Sequence, residues 1–493
     1  MVTQKQPVFL AFDLGASNGC ALLGRLTGDK LEFNEIDRFT TEMVHVGNNW
    51  HWNIYRFFEK IKKGIEKSFT QANWQPTSLA VNTWGVDFGL LSAEGELLGL
   101  PFAYRDSRTD GVMEKVFQLI DRNELYELTG IQFMQINSLF QLYAMKMQNH
   151  SFYQTAQDCL FMPDIINYFL TGKKFTEFSF ATCSQMYNPN KKCWDETIFQ
   201  KLDIPIDLMQ TVIEPGTEIG ALSKTIAHDT ATEKLKVFSV VSHDTGSAVA
   251  AVPARGDDWA YVSSGTWSLL GVETKSPIIT AKSQELNFTN EGGYNSTFRV
   301  QKNLTGLWII QKLKETEDQL RTLSYPELIQ KASLCSAFTA FIDVDHHGFL
   351  NPQNMKQAMT QYLQNTYQTV PDNSFGFVKI AMEGLALKYR YRLDQLNQLH
   401  PQPINNLHIV GGGSKIHTLN QYTANATGKT VVVGPAEATA VGNIVVQAIA
   451  QGYIESFAKA REIINNSFAI ETFYPMDQGK WDSAYNRYKD IIF

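Results

Sequence analysis

The chain has 493 residues, of which 44% are hydrophobic and 19% charged, so it is too long for one small module and too apolar for disorder along most of its length. Lys and Arg number 43 and Asp and Glu number 50, which gives a net charge of −7. The charges are spread along the chain rather than gathered in runs. We therefore expect neither a nucleic-acid surface nor an anionic-membrane surface.

The five cysteines are odd in number, widely spaced and without a CxxC pair, which argues against zinc and against a redox couple. The apolar run at residues 8–12 is interrupted by Asp13, too early for a signal-peptide core. No stretch of about 18 to 20 uncharged apolar residues occurs. These features predict a protein of the reducing cytoplasm.

The first predicted element is a hairpin, in which residues 7–13 and 20–26 are apolar and residues 14–19 are small and turn-forming. Apolar positions from Ile54 to Phe69 recur every three or four residues, which is typical of an amphipathic helix. Strands are predicted at 78–83 and 86–92. Alternating strands and helices indicate α/β architecture.

Helices are predicted at 138–148, with Ser138 as N-cap, and at 164–170. A buried strand at 237–241 leads into the segment SHDTGS at 242–247, which a helix follows. The polar, turn-rich residues 253–258 are the predicted domain boundary, giving domains 1–252 and 253–493.

Just past this boundary the opening pattern returns, with strands at 259–262 and 267–272 around the turn 263–266. The second half closes with a strand at 407–410, the loop Gly411-Gly412-Gly413, a helix at 415–427 capped by Ser414, a strand at 430–433 and a helix at 437–449. This repetition predicts two similar lobes with a cleft between them.

Three small-residue loops, at 15–19, 263–266 and 411–413, have the composition that lets backbone N–H groups approach phosphate oxygens. None fits GxxxxGK[ST] or GxGxxG, so neither a P-loop nor a dinucleotide fingerprint is supported. Any one of these loops alone is typical of an ordinary turn. Because two of them open the two halves of the chain, we predict that together they hold a nucleotide.

Two acidic residues follow buried strands. Asp13 is placed to hold Mg²⁺ beside phosphates, usually through water, and the alternative is a carboxylate that caps its own turn. Asp244 is placed to accept the proton of an attacking hydroxyl, and the alternative is an N-cap of the following helix. Trp84 and Gly85 suit the packing of a sugar face, or else form a buried bend.

At these residues the sequence resembles the FGGY carbohydrate kinases, and among them those that act on L-rhamnulose. The resemblance extends over nearly the whole chain and is carried by ordered blocks rather than by any single one. The blocks include FDLGASNG at 12–19, NTWGVDFGLL at 82–91, SHDTGSAV at 242–249, AYVSSGTWSLLGVE at 260–273, NFTNEGGYNSTFRVQKNLTGLWIIQ at 287–311, LHIVGGGSKIHTLNQ at 407–421 and GPAEATAVGNI at 434–444.

The resemblance implies a two-lobe actin-like, ribonuclease-H-like fold, with sugar bound mainly by the N-terminal lobe and ATP mainly by the C-terminal lobe. It implies that Asp244 is the catalytic base and that Asp13 lies near Mg²⁺. The residues that it implies for the ketose are Gly85, His243, Thr245 and Asn303, beside Trp84. Those that it implies for ATP are Ala16, Ser17, Asn18, Gly19, Cys20, Thr266, Gln311 and Gly412.

Two positions depart from the pattern of these relatives. Cys20 stands where many of them carry Arg, which removes a fixed positive charge near the phosphates. Asn82 stands where their sequence IDTWG has Asp, which removes a carboxylate beside the sugar pocket. Either departure is expected to alter contacts with a substrate.

The predicted function is ATP- and Mg²⁺-dependent phosphorylation of the 1-hydroxyl of a 6-deoxy-ketohexose, with L-rhamnulose as the first candidate. L-Fuculose and ketoses of the xylulose and ribulose type are the alternatives within the same chemistry. A non-enzymatic ATP-dependent binding module is the alternative from another class, because actin-like folds also serve chaperones and filaments.

Overall fold

The computed structural model describes residues 6–232 and 235–492 and has mixed α/β structure, as predicted. Its strands are β1 (Val8–Leu14), β2 (Asn18–Thr27), β3 (Lys30–Thr40), β4 (Met43–Val46), β5 (Asn49–Trp52), β6 (Ser78–Thr83), β7 (Phe88–Leu91), β8 (Asp158–Phe161), β9 (Thr176–Glu177), β10 (Tyr187–Asn188), β11 (Cys193–Trp194), β12 (Val212–Ile213), β13 (Glu218–Ala221), β14 (Lys236–Phe238), β15 (Trp259–Ser264), β16 (Trp267–Thr274), β17 (Thr289–Gly292), β18 (Phe298–Thr305), β19 (Asn406–Val410), β20 (Thr430–Val433) and β21 (Glu471–Phe473). Its α-helices are α1 (Ile54–Thr70), α2 (Val112–Val116), α3 (Arg122–Thr129), α4 (Ser138–Met147), α5 (Ser151–Thr155), α6 (Met162–Thr171), α7 (Phe178–Cys183), α8 (Glu196–Leu202), α9 (Lys224–Asp229), α10 (Asp244–Ala250), α11 (Ala281–Glu285), α12 (Trp308–Thr316), α13 (Asp318–Arg321), α14 (Tyr325–Ser333), α15 (Met355–Asn365), α16 (Ser374–Leu396), α17 (His417–Thr427), α18 (Ala438–Ala450), α19 (Phe457–Ser467) and α20 (Gln478–Ile492).

The chain forms two compact units. The first contains the chain up to Pro253 together with Glu273–Val300 and Ala438–Ser467. The second contains Ala254–Val272, Gln301–Glu437 and the chain from Phe468 onward. Each unit is therefore built from segments that lie far apart in the sequence.

The first unit is built on a six-stranded sheet with the order β13-β14-β6-β1-β2-β3. β1 pairs antiparallel with β2 and parallel with β6, and β6 pairs parallel with β14. Helix α1 packs on one face, where Gly64 lies against Phe12, and α18 packs on the other face, where Ile444 lies against Gly24. The parallel strands β1, β6 and β14 consequently end at the same edge of the sheet.

The second unit has a sheet with the order β18-β16-β15-β19-β20-β21. β15 pairs antiparallel with β16 and parallel with β19, which in turn pairs parallel with β20. This sheet repeats the strand order of the first unit, because its strands β18, β16, β15, β19 and β20 correspond in turn to β3, β2, β1, β6 and β14. The repeated hairpin seen in the sequence therefore marks a repeated topology.

Two predicted helix caps are wrong. Asn137 occupies the N-cap position of α4, and the Ser138 hydroxyl instead donates to the backbone oxygen of Val86 at 2.6 Å. Ser414 lies in a 3₁₀ turn, Gly412–Lys415, and α17 begins at His417 after Ile416. In both cases tertiary contacts of the preceding loop, which a local pattern cannot show, set where the helix begins.

Among the described residues, no helix combines the length and the apolar character that crossing a bilayer requires.

Candidate functional site

The predicted residues of the first unit lie where its parallel strands end. Asp13 is near the end of β1, Trp84 and Gly85 follow β6, and His243 follows the segment after β14. The amide of Trp84 donates to the Leu14 oxygen at 3.1 Å, and the amide of Thr83 donates to the Ser242 oxygen at 2.9 Å. The sheet therefore brings together three motifs that are up to 230 residues apart in sequence (13 against 243).

Asp244 is the first residue of α10, and His243 holds the N-cap position, so Asp244 is not the helix N-cap. Its Oδ1 accepts hydrogen bonds from the Thr245 amide at 2.5 Å and the Thr245 hydroxyl at 3.2 Å. His243 Nε2 lies 3.4 Å from the same Oδ1. The Asp244 side chain is 28% exposed, so a hydroxyl group can reach it.

Gly85 lies against the ring of His243. A Cβ atom on Gly85 would lie 2.8 Å from Nε2 and 3.1 Å from Cε1 of that ring. Any side chain at this position would therefore push the imidazole away from its place beside Asp244. Glycine at residue 85 is required for the close approach of the bend to the histidine.

Val86, the next residue, has a φ of +70°. A β-branched residue rarely adopts this left-handed conformation, which costs of order 1–3 kcal/mol. The strained residue lies between Gly85 and Asp87, in the bend that carries the predicted sugar contacts. The hydrogen bond from the Ser138 hydroxyl to the Val86 oxygen helps to hold this bend.

Trp84 is only 4% exposed, and its ring packs on Trp52 with a centroid separation of 4.1 Å. Both indole N–H groups donate to Oδ2 of Asp87, at 2.9 Å from Trp84 and 2.6 Å from Trp52. Burial raises the pKa of Asp87 to about 6, although hydrogen bonds from Gln141 and the two indoles oppose the shift. The bend that carries Gly85 therefore rests on a buried aromatic pair anchored by one carboxyl group.

Asp13 stands directly opposite Cys20 on β2 and Asn82 on β6, so both departures from the pattern of the relatives flank this carboxylate. Cys20 is 3% exposed. The amide of Asn82 donates to the Val241 oxygen at 2.7 Å and to the Ser247 hydroxyl at 2.9 Å. Its Oδ1 accepts from Asn443 of α18 at 2.7 Å.

These bonds pair both N–H donors and the oxygen of the Asn82 side chain within the protein. Asn82 therefore ties β6 to the helices α10 and α18, and it is not positioned as a group that a sugar would meet. A carboxylate there would be repelled by the Val241 carbonyl oxygen, which explains why asparagine suits this position.

The turn between β1 and β2 is closed by a hydrogen bond from the Gly15 amide to the Asn18 oxygen at 2.8 Å. The side chains of Ser17 and Asn18 are exposed, and Ala16 is partly buried. A Cβ on Gly19 would lie 2.5 Å from the Phe39 ring of β3. Packing of the hairpin thus explains Gly19, while the tip of the turn is open to solvent.

In the second unit, Thr266 and Gly412 lie on loops that meet at Ser264. The amide of Trp308, the first residue of α12, donates to the Thr266 oxygen at 3.3 Å. A Cβ on Gly413 would lie 2.0 Å from the Ser264 hydroxyl oxygen, whereas a Cβ on Gly412 would meet nothing within 4 Å. The glycine loop is therefore packed against the hairpin at Gly413 and is open at Gly412.

Gln311 lies in the first turn of α12, where its amide donates to the Leu307 oxygen at 2.9 Å. Asn303 lies in β18 and is partly buried. Three residues later, the Gly306 amide donates to the Thr266 oxygen at 3.1 Å. Thr266 and Gly412 thus lie on loops that meet at Ser264, and α12, which carries Gln311, begins with hydrogen bonds to the same turn, with Asn303 on the strand that leads to it.

Sequence reasoning gave no role to several residues that shape the first unit's site. Asp87 stands inside the quoted block NTWGVDFGLL, and Glu291 and Arg299 stand inside the block at 287–311. Glu291 Oε2 lies 3.0 Å from His243 Nδ1 and 3.1 Å from Arg299 Nη2. Their position inside these blocks was the only indication that they matter. Their contacts, which join residues about 50 positions apart in the sequence, could not be predicted from the blocks.

Two buried carboxyl groups, those of Glu177 and Asp164, interact with each other, and Glu177 lies behind the backbone of His243. The Glu177 carboxylate accepts from the Ser242 amide at 3.1 Å, and the Ser179 hydroxyl that pairs with Glu177 accepts from the His243 amide at 3.1 Å. Burial raises the pKa of Glu177 to about 7. Burial, together with the charge of Glu177, raises the pKa of Asp164 well above its usual value, and backbone amides only partly oppose this.

We expect Asp164→Asn to stabilise the protein by an amount that grows as the pH rises from 5 to 8. A carboxyl group whose pKa is higher in the folded than in the unfolded chain binds more protons when folded, so the wild type loses stability between those two pKa values. The slope for one such group is at most about 1.4 kcal/mol per pH unit. Thermal unfolding of variant and wild type at several pH values measures it.

The exposed Asp207→Asn is the control for this substitution, and it is expected to have a small effect at every pH. A stability change in Asp164→Asn that is the same at pH 5 and pH 8 would show that Asp164 carries its ordinary charge in the folded chain.

Comparison with solved structures shows which fold this is. A ligand-bound xylulose kinase from Lactobacillus acidophilus superposes with a TM-score of 0.82 at 13% identity, covering 98% of this chain and 97% of that one. A glycerol kinase from Plasmodium falciparum solved with ADP gives 0.79 at 13% identity, covering 99% of each chain. The chain thus has the two-domain actin-like fold of sugar kinases, as predicted.

The sequence gives the family. Residues 8–251 match the N-terminal domain, and residues 260–451 the C-terminal domain, of the FGGY family of carbohydrate kinases, and the chain belongs to this family. Among its relatives, the rhamnulokinase of Bacteroides thetaiotaomicron is 41% identical over 98% of this chain and 99% of its own length. The rhamnulokinase of Bacillus subtilis is 35% identical over 95% of this chain and 96% of its own.

The predicted family is therefore confirmed, and the enzyme is a carbohydrate kinase rather than a non-enzymatic binding module. Sugar kinases of this family use ATP, so a sugar and ATP are its substrates.

Proposed function

We propose that this kinase transfers the γ-phosphoryl group of ATP to the 1-hydroxyl of L-rhamnulose. The observation that carries the proposal is the full-length similarity to rhamnulokinases at 35 to 41% identity. The arrangement of Gly85, His243 and Asp244 at the strand ends of the first unit supports it, because it presents a partly exposed carboxylate beside a polar ring. We assign the sugar mainly to residues 1–252 and the nucleotide mainly to residues 253–493.

In the proposed mechanism, Asp244 accepts the proton of the 1-hydroxyl as that oxygen attacks the γ-phosphorus. The new O–P bond forms while the bond between the β,γ-bridging oxygen and the γ-phosphorus breaks, and ADP leaves. Thr245 occupies Oδ1 of Asp244, so we assign Oδ2 to the substrate hydroxyl. Gly85, His243, Thr245 and Asn303 are the proposed sugar contacts, and Trp84 supports the bend from behind.

Nucleotide contacts are proposed for the tip of the β1–β2 turn, Ala16 to Cys20, and for Thr266, Gln311 and Gly412. Support comes from the exposure of Ser17 and Asn18 and from the open space at Gly412. Because Cys20 supplies no positive charge, the turn would hold phosphate oxygens through backbone N–H groups.

Mg²⁺ is proposed as the metal that accompanies ATP. Among residues 6–232 and 235–492, no three His, Cys, Asp or Glu side chains are grouped so as to hold a metal ion. Mg²⁺ usually keeps several waters and binds through one or two carboxylates plus substrate phosphates. Asp13 is the proposed carboxylate, through water, and the bound ion would neutralise phosphate charge.

L-Fuculose is the main alternative substrate, and it differs from L-rhamnulose only in hydroxyl stereochemistry. The internal hydrogen bonds of Asn82 indicate that its side chain supports the placement of α10 and α18 rather than contacting the sugar. Selection between the two sugars then depends on the groups that contact hydroxyls directly.

A panel of ketoses with purified enzyme and MgATP tests the proposal. Release of ADP is measured by a coupled assay with L-rhamnulose, L-fuculose, D-xylulose and L-ribulose, and products are identified by mass spectrometry. We expect the highest kcat/KM with L-rhamnulose. A higher value with another ketose would reassign the substrate, and ADP release without a sugar phosphate would refute the kinase reaction.

A further inference from the structure

The β18–α12 connection, residues 305–308, packs on the β15–β16 turn that carries Thr266. The Gly306 amide donates to the Thr266 oxygen at 3.1 Å, and the Leu307 amide donates to the Gly265 oxygen at 2.9 Å. A Cβ on Gly306 would lie 2.6 Å from that Gly265 oxygen. The two segments therefore meet backbone to backbone, so a shift of the connection moves the turn with it.

Asp345 fixes the start of this connection. It lies in the segment between α14 and α15, and its Oδ1 accepts a hydrogen bond from the Thr305 amide at 2.9 Å. Further along the same segment, the Phe349 oxygen accepts from the Trp308 indole at 3.2 Å. This one segment therefore holds the connection at both of its ends.

Two cations of α16 hold the carboxylate of Asp345. Lys388 Nζ lies 3.2 Å and Arg392 Nη2 lies 3.1 Å from Oδ2. The two cations are four residues apart, so they lie on the same face of the helix. Burial raises the pKa of Asp345, but the charges of Lys388 and Arg392 outweigh it and lower the pKa below its ordinary value. Asp345 is therefore ionised, with Oδ1 on the backbone amide and Oδ2 on the cations.

Helix α16 also supports the β15–β16 turn from its other side. Tyr389, the neighbour of Lys388, is 1% exposed, and its hydroxyl lies 2.7 Å from the Ser268 hydroxyl of β16. The turn is thus held through Ser268 on its own hairpin and through Asp345 on the connection that packs against it.

We propose that Asp345, held by Lys388 and Arg392, is a positioning residue for the nucleotide, which keeps the β18–α12 connection in place and thereby sets Thr266 at the phosphates of ATP. This inference rests on the proposed function for the assignment of Thr266 to ATP. Its structural part, the support of the β15–β16 turn by Asp345, does not depend on which sugar is phosphorylated.

Asp345→Asn tests the proposal while keeping the shape of the side chain. The single oxygen of an amide can accept either from Thr305 or from the two cations, and the NH₂ group then faces a donor on the other side. One of the two contacts is therefore lost.

The first measurement is hydrogen exchange, followed by mass spectrometry without nucleotide. In Asp345→Asn we expect the peptides that cover residues 264–268 and 303–309 to exchange faster than in the wild type. Unchanged exchange in both peptides would overturn the proposal, whether or not the enzyme phosphorylates a ketose.

The second measurement is steady-state kinetics with varied MgATP and with varied ketose. We expect kcat/KM for ATP to fall about tenfold to hundredfold with a raised KM for ATP, because misplacement on the ångström scale costs that much. KM for the ketose should stay near its wild-type value, since most of the proposed sugar contacts lie in the first unit. Partial unfolding alone would lower kcat and leave both KM values unchanged, and that result would overturn the positioning role.

Asp482→Asn is the matched control. Asp482 is also an aspartate paired with a cation of α16, at 2.6 Å from Arg390 Nη1, but it belongs to α20 rather than to the segment that holds the connection. We expect it to leave the hydrogen exchange of both peptides and the KM for ATP unchanged.

If Asp345→Asn does not fold, Arg392→Gln carries the test. It removes one of the two cations from Oδ2 and leaves Asp345 itself intact, so a smaller rise in KM for ATP is expected. An unchanged KM for ATP in folded Arg392→Gln would overturn the proposal. Absence of ketose turnover in the wild type would instead refute the proposed function, and the hydrogen-exchange comparison would still decide the role of Asp345.

Discussion

Asp244→Asn is expected to lower kcat by at least about a hundredfold, the scale of general-base catalysis. Asparagine keeps the shape of the side chain, and its oxygen can still accept from the Thr245 amide, so α10 should begin at the same place. The amide cannot take up the proton of the attacking hydroxyl. Positioning and charge neutralisation would remain, so residual turnover is expected.

Steady-state kinetics with the preferred ketose and MgATP measures this effect, and calorimetric titration with ATP checks that nucleotide binding is retained. Asp257→Asn, a substitution of an exposed aspartate, is the control and should keep normal turnover. Turnover near the wild-type value in Asp244→Asn would remove this residue from the role of base.

Gly442→Ala is expected to cause the second large effect, through the packing of α18 on α10. A Cβ on Gly442 would lie 1.8 Å from the backbone oxygen of Ser247 and 2.6 Å from its carbonyl carbon. Because backbone atoms cannot rotate aside, one helix must shift, and overpacking of this kind costs about 1–3 kcal/mol. α10 carries Asp244 at its first residue, so kcat should fall together with stability.

Thermal unfolding and kcat are measured on the same preparation. Gly479→Ala is the matched control, because a Cβ at that helical position of α20 meets nothing within 4 Å and alanine favours a helix. It should leave activity unchanged and raise stability slightly. If Gly442→Ala unfolded at the wild-type temperature with normal turnover, the close contact of these two helices would not be what places Asp244.

The strands and helices that position the predicted site could be predicted from the sequence, because periodicity and turn residues are local features. The hairpin β1–β2, the helix α1 and the strands β6 and β20 lie where periodicity and turn residues predicted them. The caps at Ser138 and Ser414 were wrong because local composition offers several capping residues and tertiary contacts choose among them. The strand β14 ends at Phe238 rather than at residue 241, although Val240 and Val241 are fully buried.

The long-range polar contacts of the site could not be predicted. The approach of Gly85 to His243 joins segments about 160 residues apart, and the bond between Asn82 and Asn443 joins segments 361 residues apart. Asn82 shows the consequence most clearly. From the sequence, Asn82 was interpreted as the loss of a carboxylate beside the sugar pocket. In the structure, its side-chain amide group connects β6 to α10 and α18.

Asp244 is proposed to take the proton of the sugar hydroxyl that attacks ATP. A crystal structure with L-rhamnulose and a non-hydrolysable ATP analogue tests it most directly. We expect the ketose 1-oxygen to lie within about 2.6–3.2 Å of a carboxylate oxygen of Asp244 and to be directed at the γ-phosphorus. A sugar bound with its 1-oxygen on other residues, and Asp244 in contact only with solvent, would contradict it.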